Sequence, residues 1–153
     1  MNLKTYILVI KKGIDMETRH AITDPRFFGA GKALFTVSNA DNHRTFKIRK
    51  KITNKETNDA IYFAMCRQEH SYVYLGIYNP GSHDVFLTKK SVFTKESVEV
   101  KALRFAIARV SKGLPLPEGY AVQHEGKCCR CGRKLTEPTS INRGVGPECW
   151  TKF

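Results

Sequence analysis

The chain has 153 residues, a mean hydropathy of −0.38 and a net charge of +12, from 26 basic and 14 acidic residues. That length holds one core of ordinary size with room for a small appendage. No apolar run approaches the ~20 residues of a membrane span, so a membrane is not expected as a partner, whereas the excess charge points to a polyanion such as nucleic acid.

The N-terminal apolar run, Tyr6 to Ile10, is short for a signal-peptide core and no small-residue cleavage site follows it. A cytoplasmic location is expected, where thiols stay reduced and clustered cysteines bind metal more often than they form disulfides. Residues 3–10 read equally as a strand or a short helix. The following stretch predicts a short helix ending near "TDP" and then a glycine-rich turn. "GAGK" resembles a phosphate loop only superficially. Arg26 stands where the first glycine of such a loop belongs, and Ala33 replaces the Ser or Thr after the lysine. Gly29 and Gly31 are read as turn residues.

From residue 33 to about residue 93 the chain reads β. "KALFTVSN" and "HRTFKIRKKI" flank "NADNH"; "AIYFAMCRQ" and "YVYLGIY" follow, and "NPGSHD" marks a turn before "VFLTKKSVF". Cys66 falls inside one of these strands and reads as a buried small hydrophobe. Over residues 96–112 the period changes: Leu103, Ala106, Ile107 and Val110 recur at helical spacing. Ser97 or Thr94 is placed to cap the start, and Gly113 to stop the helix. The expected fold is α+β, an antiparallel sheet with one packed amphipathic helix. "GLPLPEG" reads as a stiff linker, giving a domain over 1–119 and a metal-stapled module over 120–153 that is treble-clef-like.

The tail holds four of the five cysteines. Cys128 and Cys131 stand at knuckle spacing with Gly132 directly after, where a tight turn needs a positive φ. Cys149 follows "RGVGP", with Pro147 suited to the first turn of a helix. Zinc takes four ligands in a closed site and favours thiolate and imidazole, so Zn2+ is the expected cofactor. Cys128, Cys131 and Cys149 supply three ligands. His124 is the favoured fourth and Cys129 the alternative, because adjacent side chains diverge.

The run "HEGKCCRCGRKLTEPTSINRGVGPECW" resembles a short zinc-finger domain of unknown function found in phage and bacterial proteins. The resemblance is carried by His124, Gly126, Lys127, Cys128, Cys131, Gly132, Arg133, Leu135, Thr136, Pro138, Ser140, Ile141, Arg143, Gly144, Gly146, Pro147 and Cys149; Cys129 departs from it, standing where that domain usually has glycine. The resemblance implies zinc binding and a phage or prophage origin, hence a host cytoplasm as the place of action. It implies no settled activity.

Positive charge concentrates in two places. Along "RTFKIRKK" strand alternation puts Phe46 and Ile48 on one face, with Ile52, and Lys47, Arg49 and Lys51 on the other, about 6.6 Å apart, which is close to the phosphate spacing of a single strand. The tail adds Arg130, Arg133, Lys134 and Arg143. Tyr62, Tyr72, Tyr74 and Tyr78 are available for base stacking where they face solvent. The leading expectation is a basic zinc protein that binds DNA or RNA through these residues. A phage inhibitor of a host defence or nucleic-acid-handling protein is the alternative. A zinc enzyme using Glu125 or Glu148 as acid/base ranks below both, since the H-x-E and P-C-x-x-C spacings of deaminases are missing. The oligomeric state is not legible.

Overall fold

The computed structural model describes residues 19–153, so the expectation for residues 3–10 lies outside the described residues. Among the described residues seven strands form one sheet: β1 (His20–Ala21), β2 (Lys32–Ser38), β3 (His43–Asn54), β4 (Asp59–Gln68), β5 (Ser71–Asn79), β6 (Asp84–Phe86) and β7 (Ala121–His124). All pairings are antiparallel, in the order β1-β7-β2-β3-β4-β5-β6. The helices are α1 (Val98–Ser111), α2 (Pro138–Arg143) and α3 (Pro147–Trp150). The helix expected to end near "TDP" is not what residues 20–24 form. His20 and Ala21 pair with β7, and Asp24 then caps a 3-10 turn over Pro25–Phe27 by accepting from the Arg26 backbone N–H.

Three hairpin turns share one device. Asn39 Oδ1 accepts from the backbone N–H groups of Asp41 and Asn42, Asn54 Oδ1 from those of Glu56 and Thr57, and Asn79 Oδ1 from those of Gly81 and Ser82. Each asparagine thus starts a turn with its own side chain. Between β4 and β5 the chain turns through Glu69, at φ 54°.

Alternation along the strands sorts the two faces. Phe35, Phe46, Ile48, Cys66 and Tyr78 are buried on one face, where Val100, Leu103, Ala106 and Ile107 of α1 close the core. Gly113, at φ 64°, ends the run after α1 as expected. A bulge in β5 lies opposite Ala64 and Met65 and brings both Leu75 and Gly76 inward. A side chain at Gly76 would lie 2.5 Å from the Phe86 carbonyl oxygen, so β5 and β6 approach as closely as they do because that residue is glycine.

The boundary expected at residue 119 does not separate two bodies. β7, just beyond "GLPLPEG", enters the sheet between β1 and β2, pairing Phe35 with His124 and Val37 with Val122. Cys128, Cys129, Leu135, Val145 and Cys149 belong to the same buried cluster as the sheet residues. The linker is real as a proline-stiffened connection, but the chain it releases returns to the core.

Candidate metal centre and basic face

After β7 the chain makes a tight hairpin. Gly126 accepts from the Leu135 N–H at 2.7 Å, and the Cys128 N–H donates to the Arg133 carbonyl at 2.8 Å. Gly132, at φ 82°, makes the turn that the knuckle spacing requires. Gly144 closes α2 at φ 75° and packs flat on Phe27, where a side chain would come within 2.9 Å of the ring. Pro147 then opens α3, which carries Cys149 back to the hairpin.

The outcome is a group of three thiols. Cys128, Cys131 and Cys149 have sulfur atoms all within 4.8 Å of one another. A tetrahedral zinc with Zn–S of about 2.3 Å holds its sulfurs roughly 3.8 Å apart, so the group fits a metal ion of that kind with small closure. Burial pushes the Cys128 thiol up, but backbone N–H groups of Gly146, Cys131 and Arg130, with the Cys131 thiol, outweigh it and bring Cys128 down to about 7. The Gly146 N–H lies 3.4 Å from Cys128 Sγ. Burial raises Cys149, against a contact from Arg130 Nη1 at 3.7 Å. N–H donors around thiolates are the outer support a thiolate-bound metal uses. The three cysteines line a cleft of about 360 Å³ whose rim carries Arg130, Arg133, Lys134, Lys152 and Glu148. Glu125 is not among its lining residues.

Neither candidate for the fourth position joins this group. His124 is 1% exposed and both its ring nitrogens are taken: Nδ1 accepts from the Gly126 N–H at 3.0 Å, and Nε2 donates to the Ile141 carbonyl at 2.8 Å. Its ring stacks on Phe27 at 5.7 Å. Desolvation pulls it down to about 4, partly offset by the Ile141 carbonyl. His124 is therefore a neutral tie between β7 and α2, not a ligand in this arrangement. Cys129 points into the core, and burial, with the Cys128 charge next in size, raises its thiol far above the usual range. Its backbone is a clasp: Cys129 N–H donates to the Gly144 carbonyl, and the Cys129 carbonyl accepts from the Lys32 N–H at 2.7 Å. Among the described residues three thiols, and no fourth His, Cys, Asp or Glu, gather at the site.

Lys47, Arg49 and Lys51 lie on the sheet face away from α1, opposite Met65, Phe63 and Ile61 of β4. On β2 their partners are Leu34 for Lys47 and Lys32 for Arg49. Lys32 Nζ reaches to 3.5 Å from the Cys131 carbonyl, so the basic strand and the cysteine hairpin meet at this corner. Lys47 is lowered by desolvation first and then by Arg49, Lys127 and Arg67, which places basic residues from β3, β4 and the hairpin around one ammonium. Arg143 is elsewhere, its guanidinium 4.2 Å over the Trp150 ring, with Arg26 4.6 Å over the neighbouring Phe153. Of the four tyrosines, Tyr78 is buried and Tyr62 packs edge-on against it, whereas Tyr72 and Tyr74 stand on the basic face. Sequence reading missed Lys32, Phe63 and Arg67. Only strand register brings them to this surface.

Fold and site define an antiparallel-sheet protein with a C-terminal cysteine cluster able to hold a metal ion. Residues 121–153 match the model of a family of unknown function, DUF6011. No curated protein and no solved structure gives a match to the chain.

Proposed function

We propose that this is a basic zinc protein that binds nucleic acid through the outer face of its sheet. The observation carrying the reading is the junction at Lys32, which joins the Lys47–Arg49–Lys51 stripe to the cysteine hairpin and makes one extended cationic surface from two clusters. Zn2+ held by Cys128, Cys131 and Cys149 fixes the hairpin in a treble-clef-like form, and Arg130, Arg133 and Lys134 extend the phosphate contacts beyond the sheet. The metal is structural in this reading: it orders the hairpin that sits beside Lys32. The tail's likeness to phage zinc-finger proteins favours a phage-encoded accessory protein.

The test is the salt dependence of binding. Replacing Lys47, Arg49 and Lys51 together by Gln should weaken binding to unrelated sequences alike, because phosphates carry no base information. On duplex DNA each lost contact removes about 0.9 from the log–log slope, so the triple variant flattens it by up to ~2.7. If affinity and slope are unchanged in a variant shown to be folded, the stripe is a solvated face, and the inhibitor of a host protein becomes the better reading.

A further inference from the structure

The outer face carries aromatic rings as well as charge. Phe63 on β4 lies directly between Arg49 on β3 and Ile77 on β5, Tyr72 lies opposite Arg67, and Tyr74 lies opposite Met65. All three rings are half-buried. Phe63 and Tyr74 meet edge to face with centroids 6.2 Å apart, and the Tyr74 hydroxyl is fixed by Thr88 at 3.0 Å. Lys47 Nζ rests 3.9 Å from the centre of the Tyr72 ring. α1 covers the opposite face of the sheet.

We infer that this face is a stacking platform for single-stranded nucleic acid, with Tyr72 and Phe63 receiving bases and Lys47, Arg49, Lys51 and Arg67 receiving phosphates. The inference rests on the nucleic-acid reading above and narrows it to one class of strand. A duplex hides its base faces in its own stack and offers only edges, in a groove about 12 Å wide that admits a helix or a two-stranded ribbon. A face spanning β2 to β5 does not enter such a groove. Unpaired bases instead lay their π-faces on exposed rings, which is how sheet surfaces bind single strands. The spacing suits this use: alternate residues along a strand are about 6.6 Å apart and neighbouring strands about 4.8 Å, so Arg49 beside Phe63 and Arg67 beside Tyr72 set a cation and a ring at nucleotide distances. In the free protein the Lys47 ammonium occupies the Tyr72 face. On binding, a base takes that position and the ammonium moves to a phosphate, which also relieves its repulsion from Arg49, Lys127 and Arg67.

The test is fluorescence anisotropy of the full-length, zinc-loaded protein with labelled oligo-dT, oligo-U and a duplex, each roughly 12 nucleotides long, at one salt concentration. A single strand should bind at least about 10-fold more tightly than the duplex, and the ratio of oligo-dT to oligo-U tells DNA from RNA. Tyr72→Leu and Phe63→Leu keep apolar bulk and should each lose about 5- to 150-fold of single-strand affinity, the ~1–3 kcal/mol of one base–aromatic stack. Tyr72→Phe should retain the affinity, while Lys47→Gln should weaken single strand and duplex alike. Equal binding of duplex and single strand, with folded Tyr72→Leu and Phe63→Leu as tight as wild type, would overturn the platform and leave the phosphate reading standing. Absence of binding to all three probes at low salt would overturn both.

Discussion

Cys128 and Cys129 are neighbours in sequence and opposites in environment. One sulfur is surrounded by N–H donors and held near two other thiols; the other is sealed in the core, where burial and the neighbouring Cys128 charge outweigh the backbone N–H of its own residue. Zinc ligation requires a deprotonated thiol, so Cys128→Ser, Cys131→Ser or Cys149→Ser should each release the metal. Cys129→Ala should retain it and cost about 1 kcal/mol of packing. X-ray absorption of the zinc-loaded protein should count three sulfurs and one lighter atom; a fourth sulfur would mean that Cys129 leaves the core. His124 behaves as a base kept neutral. Its folded value near 4 lies below the ordinary 6.5, so its contribution to stability is complete above pH 6.5 and is lost as pH falls through about 4. The loss amounts to up to about 3 kcal/mol, at ~1.4 kcal/mol for every tenfold weakening of proton affinity. Urea unfolding of wild type and His124→Asn across pH 4.5 to 7 checks it: the wild type should steepen toward acid by more than the variant, whose metal-binding thiols are the same.

At the scale of elements, the turns and α1 were legible because their causes are local. An asparagine that caps its own turn acts within three residues, and the 3.6-residue period of Leu103, Ala106 and Ile107 lies within one helix. Alternation in β3 was legible for the same reason, up to Ile48. Ile52 kept the pattern but not the burial, being 47% exposed where β3 runs past the core. What stayed hidden is non-local. The role of His124 depends on a carbonyl on α2 and a ring on the 3-10 turn, so a histidine at ligand spacing gave no sign that its nitrogens were already engaged. β7 is four residues long, and its partner β2 lies far upstream, so nothing in "AVQH" announces a place between β1 and β2. Cutting the chain after Gly119 should therefore not release a stable domain. It strips β2 of a partner and opens the core beside Phe27 and Phe35, exposing an apolar strand edge of the kind that drives association. Circular dichroism and size-exclusion chromatography should find the 1–119 fragment unfolded or aggregated; a monomer with a cooperative melt would restore the boundary at 119.

Over the whole molecule, the clasp between hairpin and sheet decides how metal and fold are coupled. The Cys129 carbonyl accepts from the first residue of β2, its N–H holds Gly144, and His124 ties β7 to α2, so the cysteine hairpin shares backbone hydrogen bonds with the sheet. Cys128, Leu135, Val145 and Cys149 are buried in the cluster that includes Phe27, Phe28 and Phe35. A tail that merely hung from the linker would melt alone when zinc was withdrawn, leaving the sheet's transition untouched. In a tail built into the core, a bound metal would add to the stability of the whole. An ion bound only to the folded state adds RT ln(1 + [L]/Kd), about 4 kcal/mol at a thousandfold excess over Kd. Chelation should accordingly lower one cooperative transition by several degrees, with signals from Phe35 on β2 and from Trp150 on α3 moving together. Trp150 fluorescence reports the tail and amide exchange on β2 reports the sheet. Early loss of the Trp150 signal, with β2 protection unchanged, would show that the clasp opens without cost to the sheet.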